Sequence, residues 1–528
     1  MKTATVLTEM LGGSALSRAA RAGELDGRWY RSTPEGRGGW ERYVREVRDS
    51  VRASWLAEVL PAIEPAGVAA ERLERAAASG VVITTGQQPG LFGGPLMTFA
   101  KALSTRAYAD ALQERVGVPV APIFWAATDD ADFDEAAVVS VAGSGGAEVL
   151  RLDRAAPIGT PMSKVPLSAN ISEHAQRLRD ACGSVADRHA LDAALHAYAG
   201  DATIGGAYVR LLRALLEPLG IAVLDASHPA IATAARPLFR RTISTARDLA
   251  SVLHARYEEI RAADFKPQVE EVTGLSLLFT NRDGVKRRLS LAELDAAGVD
   301  ADAMALSSTV LLRPVMERAI LPSAFYVAGP GEHAYFAQVS AVADALESPQ
   351  PLVQPRWSVT IIEPKVQRQL DELGVDRTAF RDPAAVEQRI ARELVPAPLT
   401  NAVQTLREHV QRGMDGLREA NDSLVPDAVL DGLHRSLAHR LDRAERRLVA
   451  AVKRRETEAM RRIAALRGAL YPHGAPQERK LSYIPFLARY GTGLIDEMLM
   501  QAYAHARSRL ADEPAPVSES ARAPALHE

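Results

Sequence analysis

Residues 81–95 read VVITTGQQPGLFGGP, and this segment limits the fold more than any other in the chain. Val81, Val82, Ile83, Thr84 and Thr85 form a short β-branched run without polar alternation, the pattern of a strand covered on both faces. A glycine-rich loop follows, and beyond Pro95 the residues Leu96, Phe99, Ala100, Leu103 and Ala107 recur at helical spacing. Proline is tolerated at a helix start because the first N–H groups have no intrahelical partner. Gly117 predicts the end of that helix, and 118–127 (VPVAPIFWAA) predicts a second buried strand. Strand, glycine loop, helix and strand make a βαβ element, which requires a parallel sheet.

The pattern recurs twice more. An amphipathic helix over 208–216 leads through Gly220 into IAVLD at 221–225, and FYV at 325–327 is followed by a glycine turn and another helical run. Three such units predict an α/β, doubly wound parallel core over 81–365. Within it, LSLLFTNRDGVKRRLSL predicts a hairpin turning at Asn281-Arg282-Asp283-Gly284, in a subdomain inserted at about 265–310. Residues 1–80 predict a helical segment packed on the core, with the amphipathic run WERYVREVRDSVRASWLAEVL.

From 366 the composition shifts to Arg, Glu, Ala and Leu. Leu430, Leu433, Leu437, Leu441, Ala444, Leu448 and Ala451 step by three or four residues and define a seam. With the run at 402–417 this predicts a coiled-coil arm of two long antiparallel helices over 366–475, its second helix ending at Tyr471-Pro472-His473-Gly474. Residues 476–511 are expected to return to the core, and a Pro/Ala/Ser/Glu tail at 512–528 is expected to be disordered.

Charge narrows the function classes. Lys plus Arg number 63 against 66 Asp plus Glu, a net −3 that lacks the basic excess of a nonspecific nucleic-acid binder. Cys182 is the sole cysteine, so no intramolecular disulfide forms; without CxxC or HExxH, no metal cofactor is expected. The opening MKTATVLTEMLGG lacks an apolar signal core, and no stretch reaches the ~18 apolar residues of a membrane span. A cytoplasmic address without a membrane partner is the expectation.

Three segments carry candidate chemistry. Gly86, Gln87, Gln88, Gly93 and Gly94 occupy the loop between a strand's carboxyl end and a helix start, where free amides and absent Cβ atoms favour an anionic ligand. A tight turn needing positive φ is the alternative account of the same glycines. Lys101 either adds charge to a bound phosphate or carboxylate, or is exposed. Asp129, Asp130, Asp132, Asp134 and Glu135 crowd the next strand end, which suits a bound amine or cation, or a solvated acidic loop. The third segment holds Arg313 and then Gly329, Gly331, Glu332, His333, Tyr335 and Gln338; Glu332, Tyr335 and Gln338 share a helical face able to hydrogen-bond a polar ligand. Met162-Ser163-Lys164 shares three letters with the nucleotide loop of class I aminoacyl-tRNA synthetases but lacks its flanking lysine and serine. Arg446, Arg447, Lys453, Arg454 and Arg455 alternate with glutamates and read as a solvated helix face.

Taken together, TGQQPGLFGGPLMTFAKALS, FWAATDDADFDEA, LLRPVMERAILPSAFYVAGPGEHAYFAQ and QERKLSYIPFLARYG resemble the bacillithiol biosynthesis cysteine-adding enzyme family, BshC, in the family's order. Pro267-Gln268-Val269, Leu277-Leu278-Phe279 and IIEPK at 361–365 extend the resemblance over nearly the whole chain. The resemblance implies a Rossmann-like core related to class I synthetases, connective-peptide insertions, a coiled-coil arm and a homodimer. It implies a ligase that joins the carboxyl group of cysteine to the amine of glucosaminyl-malate. It also implies ATP or ADP as a ligand, with a second nucleotide pocket involving the arm. Under this reading Asp129, Asp130, Asp132, Arg313, Glu332 and Tyr335 are the catalytic candidates, and Gly86, Gln87, Gln88, Gly93, Gly94, Lys101, Gly329, Gly331, His333 and Gln338 the binding candidates.

One departure stands out. Where the family usually reads Glu-Asp-His-Asp, this chain has Asp129-Asp130-Ala131-Asp132, so an imidazole is missing and His333 is its suggested replacement as general base. Two other readings remain open at this stage: a nucleotidyltransferase-like paralogue activating another small acid, and a noncatalytic coiled-coil scaffold.

Overall fold

The computed structural model describes residues 3–25, 27–295, 301–302 and 304–512. The chain divides into two compact units, one comprising 1–141, 149–362 and 478 onward, the other 142–148 and 363–477.

The first unit is built on five strands: β1 (Val81–Gln87), β2 (Val120–Ala126), β3 (Ala222–Asp225), β4 (Ser323–Ala328) and β5 (Val353–Pro355). All are parallel and lie in the order β5-β4-β1-β2-β3, the doubly wound Rossmann-type arrangement. β1 pairs with β2 from Val81 opposite Val120 to Gln87 opposite Ala126. Both strands are buried nearly throughout, as their continuous apolar runs require. Helix α1 (Leu96–Val116) follows β1 and stops at Gly117, whose φ of 73° places it in the left-handed region that relieves a helix end. Helices α2 (Arg313–Ile320) and α3 (Pro330–Ala345) flank β4. The side chains of Ile123, Trp125, Leu224, Val315 and Val339 join one continuous core, each burial worth roughly 1.5–3 kcal/mol.

The amino-terminal segment is not wholly helical. Thr5–Glu9 forms a strand antiparallel to Ser358–Ile362, with Val6 buried and Thr5 and Thr8 exposed; the helices Ala15–Ala22, Gly36–Asp49, Trp55–Ile63 and Gly67–Ser79 follow. The inserted hairpin joins Leu275–Arg282 to Val285–Ser290 through Asp283 and Gly284, at φ 53° and 84°. A third strand that the sequence reading missed, Leu306–Ser308, completes its sheet. The carboxyl-terminal helix Ile484–Leu510 packs on α1, with Tyr483 stacked on Phe99 at 5.0 Å.

In the second unit, Ala397–Glu419 and Asp427–Arg455 pack as paired helices, with Arg407 bridging Asp442 and Glu445. The seam departs from the expected register. Leu430 and Val449 are buried, whereas Leu433, Ala444 and Ala451 are exposed. Leu437, Leu441 and Leu448 are half-buried, so the contact line keeps part of the expected seam and skips Leu433. The second helix also stops early: Glu456 takes φ −89° and ψ 57°, and a separate helix, Thr457–Leu470, begins after it.

Of the tail at 512–528, all but Asp512 lies outside the described residues. No helix among the described residues is long and apolar enough to cross a membrane. Cys182 is buried, and desolvation pushes its thiol up to about 11, the behaviour of a packing residue.

Candidate functional site

In a doubly wound sheet the strand order reverses between β4 and β1, and the diverging connections leave a crevice at their carboxyl ends. A cavity of about 580 Å³ opens there. Its floor is Gly86, where a Cβ atom would lie 3.1 Å from the Trp125 carbonyl oxygen and 3.3 Å from the Tyr326 hydroxyl.

The wall between β1 and β4 is a buried charged network. Lys101, on α1, donates from Nζ to the Gly86 carbonyl and to Gln87 Oε1, both at 2.9 Å, and lies 2.5 Å from Glu332 Oε2. It is therefore a cavity residue rather than an exposed lysine. Glu332, in the first turn of α3, also accepts from the Gly329 N–H at 2.7 Å and the Tyr326 hydroxyl at 2.6 Å. Burial disfavours its charge, but Lys101 and Arg313 outweigh that and hold the carboxyl below its ordinary value. Arg313 donates to the Tyr326 and Tyr335 hydroxyls at 3.2 and 3.0 Å and to Glu317 at 3.2 Å. Glu317 is fully enclosed, and desolvation pushes its carboxyl up to about 7 despite Arg313. Gly329, Gly331 and Tyr335 line the same cavity.

The acidic loop after β2 forms the opposite side. Four of the five carboxylates there are offset separately. Asp129 meets Lys286 Nζ at 3.0 Å, and Asp130 accepts from the Gln88 amide and from the Ala131 N–H. Asp132 caps a short helix by accepting from the Glu135 N–H, and Asp134 pairs with Arg151 and Arg154. Asp129, Asp130 and Glu135 line the cavity. Desolvation, with Asp132 and Asp130 nearby, raises the Glu135 carboxyl above its ordinary value. Met162 and Ser163 brace this loop by donating their N–H groups to Asp130 O and Thr128 O. Among the described residues no group of three His, Cys, Asp or Glu side chains converges to hold a metal ion.

Four cationic residues that the sequence reading passed over also line the cavity: Lys286, Arg288, Arg356 and Arg479. Arg356 is bound by Glu478 through contacts of 2.5 and 2.9 Å, and this anchor carries the adjoining Arg479 to the rim. The signal for Arg356 and Arg479 was already visible in QPRW and QERK; Lys286 and Arg288 sit in VKRR, which reads only as a hairpin strand.

Several expected ligand contacts take structural roles instead. A Cβ on Gly93 would fall 2.1 Å from Tyr483 Oη, and one on Gly94 3.1 Å from Thr98 Oγ1. With φ of 86° and 80°, these two glycines make a turn that buries Leu91 and Phe92, and neither lines the cavity. His333 follows Glu332 by one residue, about 100° around the helix, so its ring stacks on Tyr30 at 5.6 Å, away from the cavity. Burial depresses its pKa to about 3, and as a general base it has no access to a ligand there. Gln338 is fully buried and brackets the Val269 backbone at 2.8 and 3.1 Å. Asp132 is exposed and serves as a helix cap.

Comparison with known proteins adds to this geometry. The description "Bacillithiol biosynthesis BshC, N-terminal Rossmann-like domain" matches residues 53–357, and "Bacillithiol biosynthesis BshC, C-terminal coiled-coil domain" matches 359–508. The chain belongs to the BshC family. A relative from Koribacter versatilis is 30% identical over 480 residues, covering 87% of this chain and 88% of its own. Another, from Solibacter usitatus, is 31% identical over 436 residues, covering 80% and 82%. A third, from Thermus thermophilus, is 30% identical over 451 residues, covering 82% and 88%. Each carries the name "Putative cysteine ligase BshC". The chain is a ligase of the BshC family, with that family's Rossmann-like core and coiled-coil domain.

Proposed function

We propose that the chain joins the carboxyl group of cysteine to the amine of glucosaminyl-malate, with ATP as the activating cosubstrate. The observation that carries this reading is the cavity at the β1–β4 crevice, where carboxylates suited to an amine face cations suited to anions, in a chain whose relatives are named cysteine ligases. A free carboxylate is a poor electrophile, so amide formation in water needs a better leaving group on the acyl carbon, and ATP supplies one. Among the described residues, Arg479 lines the cavity without a carboxylate ion-pair partner, which suits it to the anionic groups of a nucleotide or acid. Asp129 and Asp130 suit the substrate ammonium groups.

The incoming amine must lose a proton as the amide bond forms. With Ala131 in place of the family's histidine, Glu135 is the group we assign to accept it, since its raised pKa brings a carboxylate closer to the range of a useful base. Incubation with cysteine, glucosaminyl-malate and ATP, read by mass spectrometry, tests the reaction. We also propose a homodimer, consistent with the exposed Leu417, Leu424, Val429 and Leu433 on the paired helices. Light scattering that finds only the 56.9 kDa monomer at micromolar concentration contradicts it.

A further inference from the structure

A second cavity, of about 170 Å³, lies beside the first, between the helix Ala246–Ala262 and the inserted sheet. Arg288, Thr309 and Val310 line both cavities, so these residues form the junction between them. Two features of the junction are unfinished as protein structure.

Arg288 is half-buried and is held in place by its Nε, which donates to the Ser276 carbonyl oxygen at 2.6 Å. Burial lowers its pKa, and among the described residues no carboxylate pairs with its guanidinium. A fixed, partly desolvated arginine with its two terminal nitrogens free is a fork suited to one carboxylate. Thr309 is 6% exposed, and its Oγ1 has no hydrogen-bond partner, although its backbone is tied to Leu277, Leu312 and Arg313. Leaving a buried hydroxyl unpaired is costly, and a ligand oxygen at the junction removes that cost. The rest of the second cavity does not compete for an anion: Leu249, Leu253 and Leu277 form apolar walls, and Glu270 and Glu271 repel negative charge, Glu271 being engaged by His254 at 3.1 Å.

We propose that Arg288 and Thr309 form a carboxylate-recognition subsite at this junction, and that it selects an acceptor whose amine-bearing part lies in the main cavity and whose acidic substituent reaches the junction. This rests on the acceptor assigned above, which carries carboxylates. Arg288 and Thr309 are then specificity-determining residues, acting on acceptor binding and leaving recognition of cysteine unchanged.

Calorimetric titration of glucosaminyl-malate, L-malate and methyl glucosaminide into the full chain, alongside steady-state kinetics, tests the subsite. The wild type is expected to bind glucosaminyl-malate about tenfold or more tighter than methyl glucosaminide, as a charge-assisted contact implies. Arg288→Gln should erase most of that preference and raise the KM for the acceptor while the KM for cysteine holds. Thr309→Val keeps the side-chain shape, removes the hydroxyl and should weaken acceptor binding by roughly three- to tenfold; it decides the matter if Arg288→Gln fails to fold by circular dichroism. Turnover in the wild type with acceptor preference retained in the folded variants overturns the subsite and leaves the reaction standing. Selective binding lost in both variants, with no turnover in the wild type, supports the subsite and defeats the reaction. Absence of any carboxylate preference in the wild type also overturns it.

Discussion

Lys101 Nζ lies 2.5 Å from Glu332 Oε2, so the helix after the first central strand is ion-paired to the helix after the fourth at the point where the sheet reverses direction. Lys101 is buried and Glu332 half-buried, and each neutralises a charge the other would leave stranded. Lys101→Met should lower unfolding free energy in urea by about 3–5 kcal/mol, and the double variant Lys101→Met/Glu332→Gln should recover a substantial part of it. Equal stability of wild type and both variants contradicts this role.

Glu317 predicts a pH dependence of opposite sign to that of an ordinary surface carboxylate. Its folded pKa, about 7, exceeds the usual 4.5, so as pH rises the unfolded chain ionises first. Its contribution favours the folded state fully below about pH 4.5 and is lost as pH climbs to about 7. Glu317→Gln should therefore show a shallower fall in stability across that window, by an amount on the order of 3 kcal/mol. Parallel stability curves for wild type and variant contradict the raised value.

Two glycines in one loop should respond differently to the same added methyl group. Gly93→Ala meets Tyr483 and holds a positive φ, so it should lower the melting temperature through strain of roughly 1–3 kcal/mol while the folded fraction keeps its KM values. Gly86→Ala presses its methyl against the Trp125 backbone and the Tyr326 hydroxyl, which hydrogen-bonds Glu332 at the cavity wall, and should reduce kcat/KM by about tenfold or more with little change in circular dichroism. An altered KM in Gly93→Ala at unchanged stability reverses these assignments.

Local pattern revealed the sheet because β1 and β2 are buried on both faces and write that burial into continuous apolar runs. The same pattern led to Gly86, Gln88, Lys101, Asp130 and Glu332, which sit where a strand end meets a loop or helix start and line the cavity. It could not distinguish Gly93 from Gly86, since whether a loop glycine lines the cavity or is packed under Tyr483 depends on a segment nearly 400 residues away. His333 failed for a related reason: its neighbours Glu332 and Tyr335 face the cavity, and one step around the helix turns it into the core. Lys286, Arg288, Arg356 and Arg479 reach the cavity from an inserted hairpin, a strand junction and the returning chain, so only tertiary structure assembles them.

Glu135 is expected to set the acid limb of the rate profile. Its folded pKa lies above the usual carboxylate value, so protonation below that point should remove the base and slow turnover. Glu135→Gln should cost about 10²–10⁴ in kcat and abolish that limb. A variant with wild-type kcat and the same limb assigns the proton to another group.

The central claim is tested most directly by incubating the protein with cysteine, glucosaminyl-malate and ATP and measuring the products by mass spectrometry. The account predicts a new species with the mass of the two substrates joined less one water, formed only when both are present, accelerated by ATP and formed more slowly by the Gly86→Ala variant. Recovery of both substrates unchanged, from a folded protein supplied with ATP, contradicts it.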